Sequence, residues 1–186
     1  MNAIDRLTRA ADRRFGVFTW REARAAGVTR TLLDRCVREE RIVRAFHGIY
    51  CFTPTPKEAG VVAAWMFVGE DAVASHQTAL QLYDLAGIEA RRYEFIVPTP
   101  RRRGPLFQLH TTMPMPPRHV VQGVPATSAA RAIVDSAPLG DLTYEAVTEA
   151  IRRDIASIEE LRSELRGHHA EVVNAIERAI RIAQEN

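Results

Sequence analysis

The chain has 186 residues, of which 46% are hydrophobic and 26% are charged. This composition supports one large or two small domains with apolar cores and excludes a disordered tail. The longest apolar stretch, residues 61–68, is far shorter than the roughly 20 residues of a membrane helix, and the first residues lack the apolar stretch of a signal peptide. We therefore expect a cytoplasmic protein without a membrane partner.

The charge is distributed unevenly along the chain. Residues 1–52 contain 11 arginines, no lysine and 6 acidic residues, so this segment carries a net charge of +5. The remainder has 14 basic and 17 acidic residues and carries −3. A basic segment followed by a slightly acidic body predicts a polyanionic partner for the N-terminal segment alone.

Three helices are predicted at the start of the chain. The first covers residues 4–14 and is amphipathic. The second covers residues 20–26 and begins at a capping-box pattern formed by Thr19 and Glu22. A glycine turn follows, and Thr29 is suited to cap the third helix. Two short helices joined by such a turn indicate a helix-turn-helix.

A hairpin is predicted after these helices, with strands at residues 41–45 and 49–52 around a glycine turn. Three helices followed by a hairpin make a winged helix. Alternate prolines in residues 53–56 interrupt regular structure. We place a domain boundary there, between a DNA-binding domain at 1–52 and a second domain at 57–186.

The second domain is predicted to be a small α+β unit that ends in a helical cluster. A buried helix at residues 57–68 comes first, and a second helix begins at Ser75 or Ala74 and stops at Gly87. The elements predicted after it are strands at 92–97 and 106–111, a weaker third strand at 120–124, and helices at 127–137, 143–154, 157–167 and 170–184.

Local signals specify the ends of these later helices. Thr127 is predicted to cap the first of them, and Thr143 or Asp141 to begin the next. Two side-chain pairs are also predicted: Ser157 and Glu160 as a capping box, and Glu177 and Arg181 as an ion pair four residues apart.

The third helix of a winged helix enters the DNA major groove. With Leu33, Cys36 and Val37 assigned to the core, the outward residues are Arg30, Thr31, Asp34, Arg35 and Arg38. Arginine can contact guanine O6 and N7 together, and threonine can contact a phosphate or a thymine methyl group. The wing adds Arg44 and His47.

Any exposed amphipathic helix could show a similar pattern, but the net charge and the wing favour DNA binding. Three acidic residues, Asp34, Glu39 and Glu40, oppose it because carboxylates repel phosphates. Asp34 has an alternative role, which is to orient Arg30 or Arg38 one helical turn away.

Enzyme motifs are missing from the sequence. There is no Gly-Lys pair for a phosphate-binding loop, no protein-kinase signature, and no Glu-x-Lys nuclease pattern. Ser75, His76 and Asp135 lack a nucleophile elbow, so Ser75 is interpreted as a helix cap and Asp135 as a helix-end or network residue. We expect no cofactor and no catalytic residue.

Other candidate binding residues give weaker signals. His168 and His169 lack the spacing of helical metal ligands, and Cys36 and Cys51 match neither a disulfide framework nor a zinc site. We therefore expect reduced thiols and no metal. The arginines at 101–103 form either a solvated loop or a second contact for an anion.

Three segments resemble a known family. The run GVFTWREARAAGVTRTLLDRCVREERIVRAFHGIYCF is similar to the winged helix of AbiEi-type antitoxins of bacterial type IV toxin-antitoxin systems. The segments ASHQTALQLYDLAGI and VQGVPATSAARAIVDSA resemble two recurrent segments of the same family. The resemblance covers about residues 14–137 and leaves the last helices unassigned.

The resemblance implies a DNA-binding repressor of its own two-gene operon, with inverted repeats in the promoter as its target. It also implies a body, after Pro56, that counteracts a nucleotidyltransferase-like toxin, often without a stable complex. Transferred to this chain, the DNA-binding residues are Thr29, Arg30, Thr31, Arg35, Arg38, Arg44 and His47.

Two departures from the family pattern affect the third helix. Glu40 replaces a glycine that commonly ends this helix, and Cys36 replaces a core leucine. Two alternative functions remain open. One is an atypical kinase that silences the toxin by phosphorylation, and the other is a module that binds only proteins.

Overall fold

The computed structural model describes residues 2–102, 104–137 and 141–185. Its packing divides the chain into two compact units. The first comprises Met1–Glu70 with Gln122–Val124, and the second comprises Asp71–Val121 with Pro125–Asn186. The predicted α+β fold class, with N-terminal helices, a wing and C-terminal helices, is confirmed.

The first unit combines four helices with a three-stranded sheet. Its elements are α1 (Ala3–Ala11), β1 (Val17–Thr19), α2 (Trp20–Ala25), α3 (Arg30–Arg38), β2 (Ile42–Phe46), β3 (Ile49–Phe52) and α4 (Ala59–Val68). The sheet order is β1-β3-β2 and both pairings are antiparallel. The predicted hairpin is thus confirmed. Strand β1 is an additional strand, which pairs with β3 at one edge of the sheet.

Apolar side chains from helices and strands form the core of this unit. Leu7, Leu33 and Ile42 are at most 1% exposed. Phe18 is fully buried, and its ring centroid lies 5.8 Å from that of Tyr50. Burial of these side chains supplies most of the driving force that holds α1 and α3 against the sheet.

The ends of the short helices follow the predicted caps. The Thr19 hydroxyl accepts from the Glu22 N–H, and the Glu22 carboxylate accepts from the Thr19 N–H, so the capping box is confirmed. Thr29 caps α3 as predicted, accepting from the Leu32 N–H at 3.2 Å. These caps satisfy N–H groups that the helices leave unpaired.

Glu40 follows α3 in a left-handed conformation, with φ of 54°. The Arg41 N–H returns to the Cys36 carbonyl at 3.0 Å, which closes the helix end. Glycine adopts such a φ without steric cost, so the glutamate occupies a position suited to glycine.

The substitution Glu40→Gly is expected to raise the free energy of unfolding by about 0.5–1 kcal/mol, because it removes the steric cost of a side chain at this φ. Urea denaturation of the full chain would measure it. Glu40→Ala is the matched control, since it removes the charge but keeps the Cβ atom. Equal stabilisation by both variants would show that charge, not backbone conformation, is responsible.

Helix α4 packs against the sheet of the first unit. The rings of Phe46 and Phe67 are stacked with their centroids 5.0 Å apart. The compact unit therefore continues to Glu70. The functional division into domains 1–52 and 57–186 stays a prediction.

A mixed five-stranded sheet in the order β6-β5-β4-β8-β7 belongs to the second unit, except for the first residue of β8, Val124. Its strands are β4 (Val73–Ala74), β5 (Tyr93–Val97), β6 (Phe107–Thr111), β7 (His119–Val121) and β8 (Val124–Ala126). Strands β5 and β6 are parallel, whereas β4 and β5 are antiparallel. The predicted strands at 92–97 and 106–111 correspond to β5 and β6.

The helices of the second unit are α5 (His76–Leu82), α6 (Ala129–Ser136), α7 (Asp141–Arg152), α8 (Ile158–Glu164) and α9 (Ala170–Glu185). The capping box of Ser157 and Glu160 is confirmed at the start of α8. Ile176 and Ile180 lie on the buried stripe of α9, as predicted. In the part of the chain that the structure describes, no helix is both long and apolar enough to cross a membrane.

Two predicted element boundaries after residue 70 are wrong. The single strand predicted at 120–124 is two strands, because Gln122 and Gly123 both have positive φ and form a turn. Helix α5 ends at Leu82 instead of Gly87, because Asp84 already adopts a left-handed φ of 54°.

One predicted side-chain role in the second unit is also wrong, and one predicted ion pair has a different main partner. Ser128, not Thr127, caps α6, because its hydroxyl is the one that accepts from the Arg131 N–H. Glu177 accepts two hydrogen bonds, at 2.9 and 3.0 Å, from Arg162 of the preceding helix. Arg162 is thus the main partner of Glu177. The Arg162 guanidinium and, to a smaller extent, that of the predicted partner Arg181 lower the pKa of Glu177.

Candidate functional site

Helix α3 brings the predicted DNA-contacting residues to one exposed surface. Its Thr29 cap fixes the start of the helix, and Leu33 and Cys36 are then turned into the core. The predicted residues on or beside α3 are all exposed: Thr29, Arg30, Thr31, Arg35 and Arg38. Three arginines on this helix supply positive charge of the kind that phosphate binding requires.

Carboxylates pair with two of these arginines. Arg30 Nε lies 3.2 Å from Asp34 Oδ1, so Asp34 pairs with Arg30, one of the two arginines predicted as its alternative partners. Arg35 Nε lies 2.7 Å from Glu39 Oε1. Arg38 forms no ion pair with any of the described residues.

Glu39 accepts from Arg35 and also lies 3.7 Å from Arg41. The Arg35 guanidinium holds the pKa of Glu39 below its ordinary value, so this carboxylate is ionised at neutral pH. The Arg35 and Glu39 side chains are 67% and 39% exposed. Exposed ion pairs of this kind contribute little stability, so Arg35 can exchange Glu39 for a phosphate or a base at low cost.

The wing presents Arg44 and His47 together. Arg44 Nη2 lies 2.9 Å from His47 Nδ1. A guanidinium group has only donors, so Nδ1 accepts and the ring proton of a neutral His47 is on Nε2. Both side chains are exposed. The pair thus offers several donors for phosphate oxygens at the tip of the hairpin.

Trp20 makes contacts that were not predicted from the sequence. The guanidinium carbon of Arg30 lies 5.6 Å from the centre of the Trp20 ring, within the range of a cation–π interaction. The backbone N–H of Trp20 also donates to the Gly48 carbonyl at 2.9 Å. Trp20 therefore contacts both α3 and the turn of the wing. No local sequence signal linked these segments.

A polar network lies on α6 of the second unit. Arg131 Nε pairs with Asp135 Oδ2 at 2.8 Å, and Arg131 also lies 3.5 Å from Glu164. Arg131 and Glu164 line a cavity of about 380 Å³. Asp135 therefore acts as a structural ion-pair partner of Arg131.

Ser75 and His76 are arranged differently from the predicted helix cap. Ser75 occupies the cap position of α5, but its side chain accepts no capping hydrogen bond. Its hydroxyl lies 3.0 Å from His76 Nδ1 instead. The His76 ring stacks on His110, with centroids 4.1 Å apart. Burial and the neighbouring His110 lower the pKa of His76.

In the loop that carries Arg101 and Arg102, one arginine forms an ion pair with an acidic side chain. Arg101 Nη2 lies 2.6 Å from Asp71 Oδ1, whereas Arg102 is exposed. Arg103 lies outside the described residues. His168 and His169 are consecutive residues just before α9, and His169 is exposed.

Comparison with known proteins gives a family match for the segment that forms the winged helix. Residues 5–53 match the sequence model of a family described as "Transcriptional regulator, AbiEi antitoxin". The AbiEi resemblance is confirmed over this segment. The AbiEi match supports a role for the chain as an antitoxin and transcriptional regulator.

One solved structure is similar to this chain over most of the chain's length. It is the crystal structure of the RV2827C protein from Mycobacterium tuberculosis, with 16% sequence identity and a TM-score of 0.55. The match covers 97% of this chain and 77% of the other chain. At this identity the likeness shows a shared fold alone. No curated protein matches the sequence.

Proposed function

We propose that the protein binds inverted repeats in its own promoter, represses its toxin-antitoxin operon and counteracts a nucleotidyltransferase-like toxin. One observation carries the proposal. The segment that matches the AbiEi family, residues 5–53, is the winged helix whose third helix exposes three arginines. Family resemblance and surface chemistry therefore point to the same function at the same place.

In the proposed complex α3 lies in the major groove. Arg35 reads a guanine edge, and Arg30 and Arg38 contact bases or phosphates on either side of it. Thr29 and Thr31, at the start of the helix, donate to phosphate oxygens. The wing places Arg44 and His47 on the backbone or in a neighbouring groove.

We assign the antitoxin role to the residues after Pro56, most of which form the second unit. Residues 1–52 carry the net charge of +5. Residues 53–186 carry −3 and have no comparable attraction for DNA. Neither role calls for a cofactor, and counteraction of the toxin does not require a stable complex in this proposal.

A promoter-reporter assay in cells tests the proposal. The full chain is expected to repress a reporter fused to its own upstream DNA. The double variant Arg35→Ala/Arg38→Ala should lose repression but retain protection against the cognate toxin, because only the winged helix is altered. Repression by the variant equal to that of the wild type would contradict the assignment of α3.

Arg44→Ala is expected to weaken binding to specific and scrambled duplexes alike, and to reduce the slope of log affinity against log salt by about one. The reason is that a phosphate contact releases about one counterion and reads no base. Fluorescence anisotropy at several salt concentrations measures it. The control is Arg166→Ala, an exposed arginine of the second unit, which should leave the slope unchanged. An unchanged slope for Arg44→Ala would remove the wing from the interface.

Glu39→Gln is expected to raise the affinity for DNA by about 2- to 10-fold at low salt, because it frees Arg35 and removes a charge that repels phosphate. The effect should shrink as salt increases. Glu159→Gln, at an exposed glutamate of α8, is the matched control and should change nothing. Weaker binding by Glu39→Gln would mean that this carboxylate orients Arg35 for DNA instead of competing for it.

A further inference from the structure

Three metal-ligating side chains from distant parts of the sequence converge in the second unit. Glu94 lies on β5 and His110 on the parallel neighbour β6, where Ile96 and His110 are register partners. Since Glu94 and Ile96 are two residues apart on one strand, Glu94 and His110 share a face of the sheet. His76 begins α5, and the preceding Ser75 N–H donates to the Glu94 carbonyl at 3.0 Å.

We propose that His76, Glu94 and His110 bind one divalent transition-metal ion of the zinc type. The three groups each offer a ligand atom, and these atoms all lie within 4.8 Å of one another. Two imidazole nitrogens and one carboxylate oxygen are a ligand set that zinc accepts, with water in a fourth position. Calcium and magnesium prefer sites made of oxygen ligands alone.

His110 supplies a second observation that favours a metal ligand role. Its Nε2 atom is buried, and it has no hydrogen-bond partner among the described residues. The nearest carboxylate atom, Glu94 Oε1, lies 3.7 Å away, which is beyond hydrogen-bond distance. Buried polar atoms are almost always paired, and a metal ion between these two groups would satisfy both.

Neighbouring groups hold two of the ligands in place. The Gln77 N–H donates to Glu94 Oε2 at 3.1 Å, which leaves Oε1 available. Ser75 Oγ contacts Nδ1 of His76 at 3.0 Å and leaves the other ring nitrogen available. Such contacts around a metal ligand fix its orientation and its tautomer.

The backbone and the charge state of the ligands also fit the proposal. His76 has a positive φ of 50°, which is an uncommon conformation for a residue other than glycine. Burial alone would raise the pKa of Glu94, but the nearby imidazoles and the Gln77 N–H outweigh it, so the pKa lies below its ordinary value. An ionised carboxylate is the form that binds a metal.

Binding would change the arrangement of the two rings. The imidazoles are now parallel to within 11°, whereas a shared ion must lie near the plane of each ring. Zinc–nitrogen bonds of about 2.0–2.1 Å also require ligand atoms closer together than they now lie. One ring must therefore turn, and the stack must open, when the ion binds.

Titration of the full, metal-stripped chain with Zn²⁺ tests the proposal by calorimetry, with Co²⁺ absorption as a second readout. We expect one ion per chain and intense visible bands for Co²⁺ in a site of low coordination number. Glu94→Gln and His110→Gln should each weaken Zn²⁺ affinity by at least about 10-fold and remove the Co²⁺ bands. Mg²⁺ should not bind at the same concentrations.

Control variants locate the ion. His119→Gln, and the double variant His168→Gln/His169→Gln, should bind Zn²⁺ like the wild type. His76→Asn is a further test, since asparagine tolerates positive φ and so preserves the backbone. Zn²⁺ should raise the Tm of the wild type but not that of His76→Asn. Absence of stoichiometric binding, or equal binding by the wild type and the three cluster variants, would overturn the proposal.

Discussion

Phe18→Ala is expected to lower the free energy of unfolding by about 3–5 kcal/mol. Phe18 is fully buried, and its ring contacts those of Tyr50 and Phe52 at centroid distances of 5.8 and 5.0 Å. Loss of the Phe18 ring leaves a cavity between strands β1 and β3 on one side and the helices that support α3 on the other. Urea denaturation of the full chain, followed by circular dichroism, would measure the change.

Val43→Ala is the control for this prediction, because Val43 lies on β2 of the same sheet but is 38% exposed. We expect it to change stability by less than about 1 kcal/mol. Comparable losses in both variants would contradict the assignment of Phe18 to the centre of the core. Phe18→Ala should also reduce DNA binding, since it removes support from α3, the helix proposed to contact DNA.

Arg35→Ala is expected to weaken binding to the specific site by about 10- to 100-fold, with a much smaller effect on scrambled DNA. The reason is that the proposed contact between the Arg35 guanidinium group and a guanine edge is lost. Fluorescence anisotropy with both duplexes at one salt concentration gives the two affinities.

Arg35→Lys separates charge from geometry, since lysine keeps the charge but lacks the planar fork that contacts two guanine atoms. It should bind scrambled DNA like the wild type yet discriminate poorly between the duplexes. If Arg35→Ala weakens binding to both duplexes equally, Arg35 contacts phosphate. If it weakens neither, Arg35 lies outside the interface.

The order of elements in the winged helix could be predicted because its signals are local. The Thr19–Glu22 capping box and the Thr29 cap each depend on residues three positions apart. Strands β1 and β4 could not be predicted because they are three and two residues long, and their pairing partners are distant in sequence. Such pairings depend on tertiary structure that no short pattern reveals.

The surface of α3 and the proposed metal site also differ in how far they could be predicted from the sequence. Exposure of Arg35 and Arg38 followed from the helical periodicity of α3, and the pairing of Arg30 with Asp34 from their spacing. The sequence predicted no metal site, because His76, Glu94 and His110 are 18 and 16 positions apart and form no motif with short spacing. Only the parallel pairing of β5 with β6 brings two of them together.

Binding of the full chain to its own upstream DNA, compared with a scrambled duplex over a range of salt concentrations, is the decisive test of DNA recognition by the winged helix. We expect preferential binding to the upstream duplex, weakened by salt and by Arg35→Ala. Equal and weak binding to both duplexes at low salt would contradict this expectation, and would show that the winged helix does not read DNA.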